Sequence, residues 1–134
     1  MGVLKTETFA LMSEMDIVQA RQAVRSWAVE LGFRLVEQTK MVTAASELAR
    51  NTVNYGGGGS MTLNVLSNGM KQGLQLVFED QGPGIADLEL AMKDGYTSGG
   101  GLGMGLGGAK RLMNEFEIVT TVGQGTRIAT TRWK

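Results

Sequence analysis

The chain has 134 residues, 20 of them glycine, one proline, no cysteine and no histidine, and its formal net charge is zero. Disulfides, thiolate nucleophiles, cysteine-type zinc sites, Ser-His-Asp triads and phosphohistidine intermediates are excluded by those absences. The balanced charge gives no support for nucleic-acid binding, and no apolar run approaches the ~20 residues that span a membrane. The expectation is therefore one cytoplasmic domain over residues 1–134.

In chain order, Val3 to Leu11 reads as a first strand. Ser13 is a plausible N-cap for a helix on which Ile17, Val18, Ala20, Ala23, Val24, Trp27, Ala28 and Leu31 recur at helical spacing, with Gly32 as its stop. Trp27 belongs to the core on that spacing. A second helix is predicted from Val36 to Asn54, ended by the tetrad Gly56–Gly59, which reads as a loop with no assigned ligand. Ser60–Ser67 and Gly73–Glu79 form a hairpin, and Leu74, Leu76 and Phe78 alternate as the core-facing side of a strand. A short helix over Asp87–Lys93 precedes the glycine-rich stretch Gly99–Gly108. A helix over Leu106–Phe116 and two strands, Glu117–Val122 and Thr126–Trp133, complete the chain. Strands in consecutive hairpins imply an α+β fold. It is a two-layer sandwich with a mixed, mostly antiparallel sheet and the helices on one face.

Thirteen of the 20 glycines fall in three places: Gly56–Gly59, the pair flanking Pro83, and Gly99–Gly108. Clustering of this kind marks loops where backbone must pass close to something. Three groups of residues are candidates for chemistry. Glu47 and Asn51 are four apart and share a helix face. An amide oxygen suits a hard cation such as Mg²⁺, and a carboxylate one turn away can position or deprotonate a hydroxyl. The bland alternative is a solvated helix face. Asp80-Gln81-Gly82-Pro83-Gly84 follows a strand, where a carboxylate can accept from an exocyclic amine; the alternative is a plain turn. Thr97–Gly108 opens a helix with side-chain-free backbone that suits phosphate, and the alternative is a flexible loop. It is neither a Walker A loop, lacking Gly-Lys-Ser/Thr, nor a convincing Rossmann fingerprint.

Taken in order, the three groups resemble the N, G1 and G2 boxes of the GHKL ATPase superfamily, with its Bergerat or histidine-kinase-like fold. Met15–Arg21, Ser46–Asn51, Glu79–Ile85, Lys110–Met113 and Gly123–Thr126 are similar to the RsbT-like branch of bacterial serine/threonine switch kinases. That resemblance implies ATP and Mg²⁺ as cofactors, with Asn51 on the metal and Glu47 as the base or acceptor-positioning group. It implies that Asp80 recognises the adenine amine, supported by Thr126, while Gly82 and Gly84 shape the pocket floor. Gly101, Gly103 and Gly105 would lie in the phosphate lid, and Asn54 and Lys110 are weaker candidates for nearby contacts. The implied function is phosphorylation of a STAS-domain antagonist in a sigma-factor regulatory network, with a PP2C-type phosphatase as a second partner. The alternatives are an RsbW-like anti-sigma factor and a nucleotide-binding adaptor that transfers no phosphate.

Overall fold

The structure is a computed structural model that describes residues 2–92 and 105–134. Strand β1 (Gly2–Leu11) leads to helices α1 (Glu14–Glu30) and α2 (Leu35–Arg50), and α2 runs on into a π-helical turn at Asn51–Tyr55. Strands β2 (Gly59–Ser67) and β3 (Gln72–Asp80) follow. After them come the short helices α3 (Leu88–Ala91) and α4 (Gly105–Arg111) and strands β4 (Glu115–Thr121) and β5 (Gly125–Trp133). The sheet order is β1-β2-β3-β5-β4, and all its pairings are antiparallel. Among the described residues no helix is long and apolar enough to cross a membrane.

Period-two patterning decides which face of the sheet is covered. Met61 and Leu63 on β2, and Leu74, Leu76 and Phe78 on β3, are at most 1% exposed. In register, Met61 lies opposite Phe78 and Leu63 opposite Leu76. Against them pack Ile17, Ala20, Val24 and Trp27 of α1 and Met41, Ala45 and Leu48 of α2, forming one cluster with Leu106 and Ala109 of α4. The periodicity placed Leu74, Leu76 and Phe78 and most of the α1 stripe correctly, Trp27 included, but Val18, at the same spacing, is 39% exposed. Ser13 caps α1 by accepting from the Asp16 amide at 3.3 Å.

Several boundaries differ from the sequence reading, among them those of the second helix, the fourth helix and β4. The second helix was predicted to run unbroken to Asn54. It is α-helical only to Arg50 and then widens, so that the Gly56 amide donates to the Asn51 carbonyl five residues back at 2.9 Å. The helix predicted over Leu106–Phe116 ends at Arg111, and β4 begins at Glu115, not Glu117. Strand pairing captures that stretch. The Asn114 amide donates to the Thr131 carbonyl at 2.9 Å, the Asn114 side-chain oxygen accepts from the Trp133 amide, and Arg132 Nη1 donates to the Leu112 carbonyl at 2.9 Å.

Leu76 is central in β3 and fully buried. Replacing it by alanine should lower unfolding stability by about 3 kcal/mol, read from urea denaturation as a lower midpoint at unchanged m-value.

Candidate functional site

One rung of the sheet builds the floor of the site. Asp80 at the end of β3 lies opposite Thr126 of β5, and Thr126 lies opposite Thr120 of β4. Each is two residues from an inward-facing partner (Phe78, Ile128, Ile118), so all three side chains stand on the helix side of the sheet. Above this rung lies a cavity of about 250 Å³. Asn51, Thr52 and Tyr55 of the π-helical turn form one wall; Ile85, Ala86, Asp87, Leu90 and Ala91 form another; Gly105 and Leu106 close it from α4. The bottom is Phe78, Asp80, Thr126 and Ile128. An apolar box with a few convergent polar groups suits a flat ligand carrying a polar edge.

Glu47 sits one turn before Asn51 and is 2% exposed. A buried carboxylate is costly without donors. One oxygen accepts from the Gly105 amide at 3.1 Å, a bond that joins α2 to the first residue of α4. Gly105 has φ +65°, a conformation that a side chain would disfavour, and this conformation presents its N–H to Glu47.

Asp80 is held by close backbone packing. Its Oδ1 accepts from the Gly82 amide at 2.9 Å. A Cβ on Gly56 would collide with the Asp80 carboxylate, and a Cβ on Gly82 would collide with the Gly56 backbone. Gly84, at φ +75°, lies against the Thr121 carbonyl, and its own carbonyl accepts from the Tyr55 hydroxyl at 3.1 Å. The turn after β4 is tied to the same loop, because the Gly123 amide donates to the Pro83 carbonyl at 2.8 Å.

Of the predicted site residues, Asn51, Asp80, Gly105 and Thr126 line the cavity; Glu47, Gly82 and Gly84 do not, but Glu47 accepts from Gly105, Gly82 donates to Asp80 and Gly84 accepts from Tyr55. Gly101 and Gly103 lie outside the described residues. Asn54 is exposed, and Lys110 lines a separate cleft with Arg111, Met113 and Phe116. The sequence reading gave Gly56 no role, yet it is the surface on which Asp80 rests. Tyr55 and Thr120 were not singled out either; no local signal distinguishes them from ordinary loop and strand residues.

The chain belongs to the histidine kinase-like ATPase domain family, whose sequence pattern matches residues 12–132. It is 48% identical over 123 residues to the serine/threonine-protein kinase RsbT of Bacillus subtilis (strain 168), covering 92% of each chain, and it stands with the ATP-binding serine/threonine kinases of that family. An anti-sigma F factor from Thermoanaerobacter sp. (strain X514) is 30% identical over 120 residues, covering 85% of this chain and 82% of the other. The fold is similar to the crystal structure of the RsbU and RsbW domains of Rv1364c from Mycobacterium tuberculosis, with TM-score 0.64 and 17% identity. That match covers 97% of this chain and 33% of the other, so this chain spans about a third of it.

Gly56→Ala should push the Asp80 carboxylate out of place without reaching the helical core. ATP affinity should fall at least about tenfold, read by nucleotide titration, while the melting temperature moves by only a few degrees.

Proposed function

We propose that the chain acts as a single cytoplasmic kinase domain that transfers the γ-phosphoryl group of ATP to a serine or threonine of a STAS-domain antagonist. The reading is carried by one arrangement: Asn51, a helical turn after Glu47, lines the same cavity as Asp80 and Thr126, and Glu47 holds the Gly105 amide that closes it. It is supported by the 48% identity to a kinase of this type. Asp80 would accept from the adenine amine, with Thr126 beside it. Gly82 and Gly84 would let the backbone pass under the ring. Gly101, Gly103 and Gly105 would enclose the phosphates.

Asn51 would take Mg²⁺. Among the described residues no three carboxylate, imidazole or thiolate groups gather at one point. The described residues therefore offer few ligands, which fits an octahedral ion that keeps waters and nucleotide oxygens in its shell. The ion, when bound, would neutralise phosphate charge. Glu47 would orient the acceptor hydroxyl and take its proton as that oxygen attacks the γ-phosphorus. The bond to the β-phosphate oxygen breaks and ADP leaves.

A PP2C-type phosphatase is a proposed second partner. The similarity to an anti-sigma F factor favours a second reading, direct capture of a sigma factor. A sigma-factor pull-down separates the two, since the kinase reading expects no capture.

Glu47→Gln keeps the side chain's shape and can still accept from Gly105, but it removes the base. Phosphate transfer to the STAS protein, read by intact mass, should fall about 10²-fold or more at little change in ATP affinity. Asn51→Ala should abolish the Mg²⁺ dependence of ATP binding. Full transfer by both variants would overturn these roles.

A further inference from the structure

Thr120 does not line the cavity, yet its hydroxyl is the hub of the polar contacts behind it. Thr120 Oγ1 accepts from the Ile85 amide at 2.9 Å and lies 2.8 Å from Thr126 Oγ1. Its other neighbour is the Gly125 carbonyl, at 3.4 Å. A hydroxyl has one proton to give. The contact with Thr126 falls within the usual range of an O–H···O bond and the contact with Gly125 lies beyond it. Either hydroxyl can be the donor in that short contact; where Thr120 donates, its proton goes to Thr126 Oγ1. Thr126 then accepts from Thr120 and keeps its own O–H for the cavity that it lines.

We propose that Thr120 is a positioning residue that fixes the Thr126 hydroxyl as a hydrogen-bond donor toward the ligand, and so helps to select adenine over guanine. The inference rests on the reading of this cavity as the nucleotide site. Asp80 Oδ1 is engaged by Gly82, and Oδ2 makes no hydrogen bond among the described residues, so it is an acceptor for the base. Acceptor and donor stand side by side on one rung. Adenine presents the matching edge, an amine donor next to an unprotonated ring nitrogen, N1. Guanine presents a carbonyl and an N–H in those places, so both contacts become repulsive. If the Thr126 hydroxyl pointed the other way, only the Asp80 contact would discriminate. Donation from Thr120 to Thr126 makes the second contact selective.

The test compares ATP with 1-deaza-ATP, in which the ring nitrogen is a C–H, by titration of wild type, Thr120→Val and Thr120→Ser, with circular dichroism as the check on folding. Wild type should bind 1-deaza-ATP about tenfold more weakly than ATP. In Thr120→Val, which keeps the shape and loses the hydroxyl, that ratio should fall to within about twofold of unity, and the preference for ATP over GTP should shrink with it. Thr120→Ser should retain the wild-type ratio. A purely structural role for Thr120 would weaken both nucleotides alike and leave the ratio unchanged, which overturns the proposal. Equal binding of the two nucleotides by wild type overturns it even if Thr120→Val does not fold. No ATP binding by wild type would instead overturn the nucleotide reading of the cavity.

Discussion

A carboxylate placed inside an apolar core has to be met by donors, and Glu47 is the point on which this architecture turns. It is almost wholly buried, and the Gly105 amide that answers it comes from a residue 58 positions along the chain. That bond ties the start of α4 to α2. Gly105, so held, closes the cavity from the α4 side. Leu106 and Ala109, just beyond the contact, return to the common core.

The opposite side of the cavity obeys a different constraint. Asp80, Thr126 and Thr120 come from three strands and are aligned by register alone. Backbone packing holds them: Gly56 beneath Asp80, Gly82 against Gly56, and Gly84 against Thr121. Glycine is used here where two loops and a strand end must touch without intervening side chains. The excess of glycine in the composition is in this respect a packing requirement of the site, separate from the needs of turns.

Much of this was legible in the sequence. Element order, the alternation on β3 and the inward stripe of α1 follow from periods of two and 3.6 residues, which are local properties. The pairing of Glu47 with Asn51 was legible for the same reason. What escaped was what depends on partners distant in the chain. Gly56 looks like any member of a glycine tetrad until the loop after β3 is laid against it. Thr120 is one more threonine in a strand until the register sets it opposite Thr126. The end of α4 was misplaced because Leu106, Ala109, Leu112, Met113 and Phe116 keep helical spacing, while pairing with β5 through Asn114 and Arg132 turns the chain out of the helix early. Local periodicity could not weigh that competition.

The strand order has a consequence for how the molecule is made. β5, the last strand in the chain, is inserted between β3 and β4. During synthesis from the N-terminus, β3 would stay an open edge until residues 125–133 had been added, with one row of its backbone groups unpaired. Asp80 would wait equally long for Thr126. The polar floor of the cavity is then assembled last, after the helices and the first hairpin already have their cores. A chain cut short before β5 could hold Glu47 and Asn51 on a formed helix and still have no floor beneath the cavity.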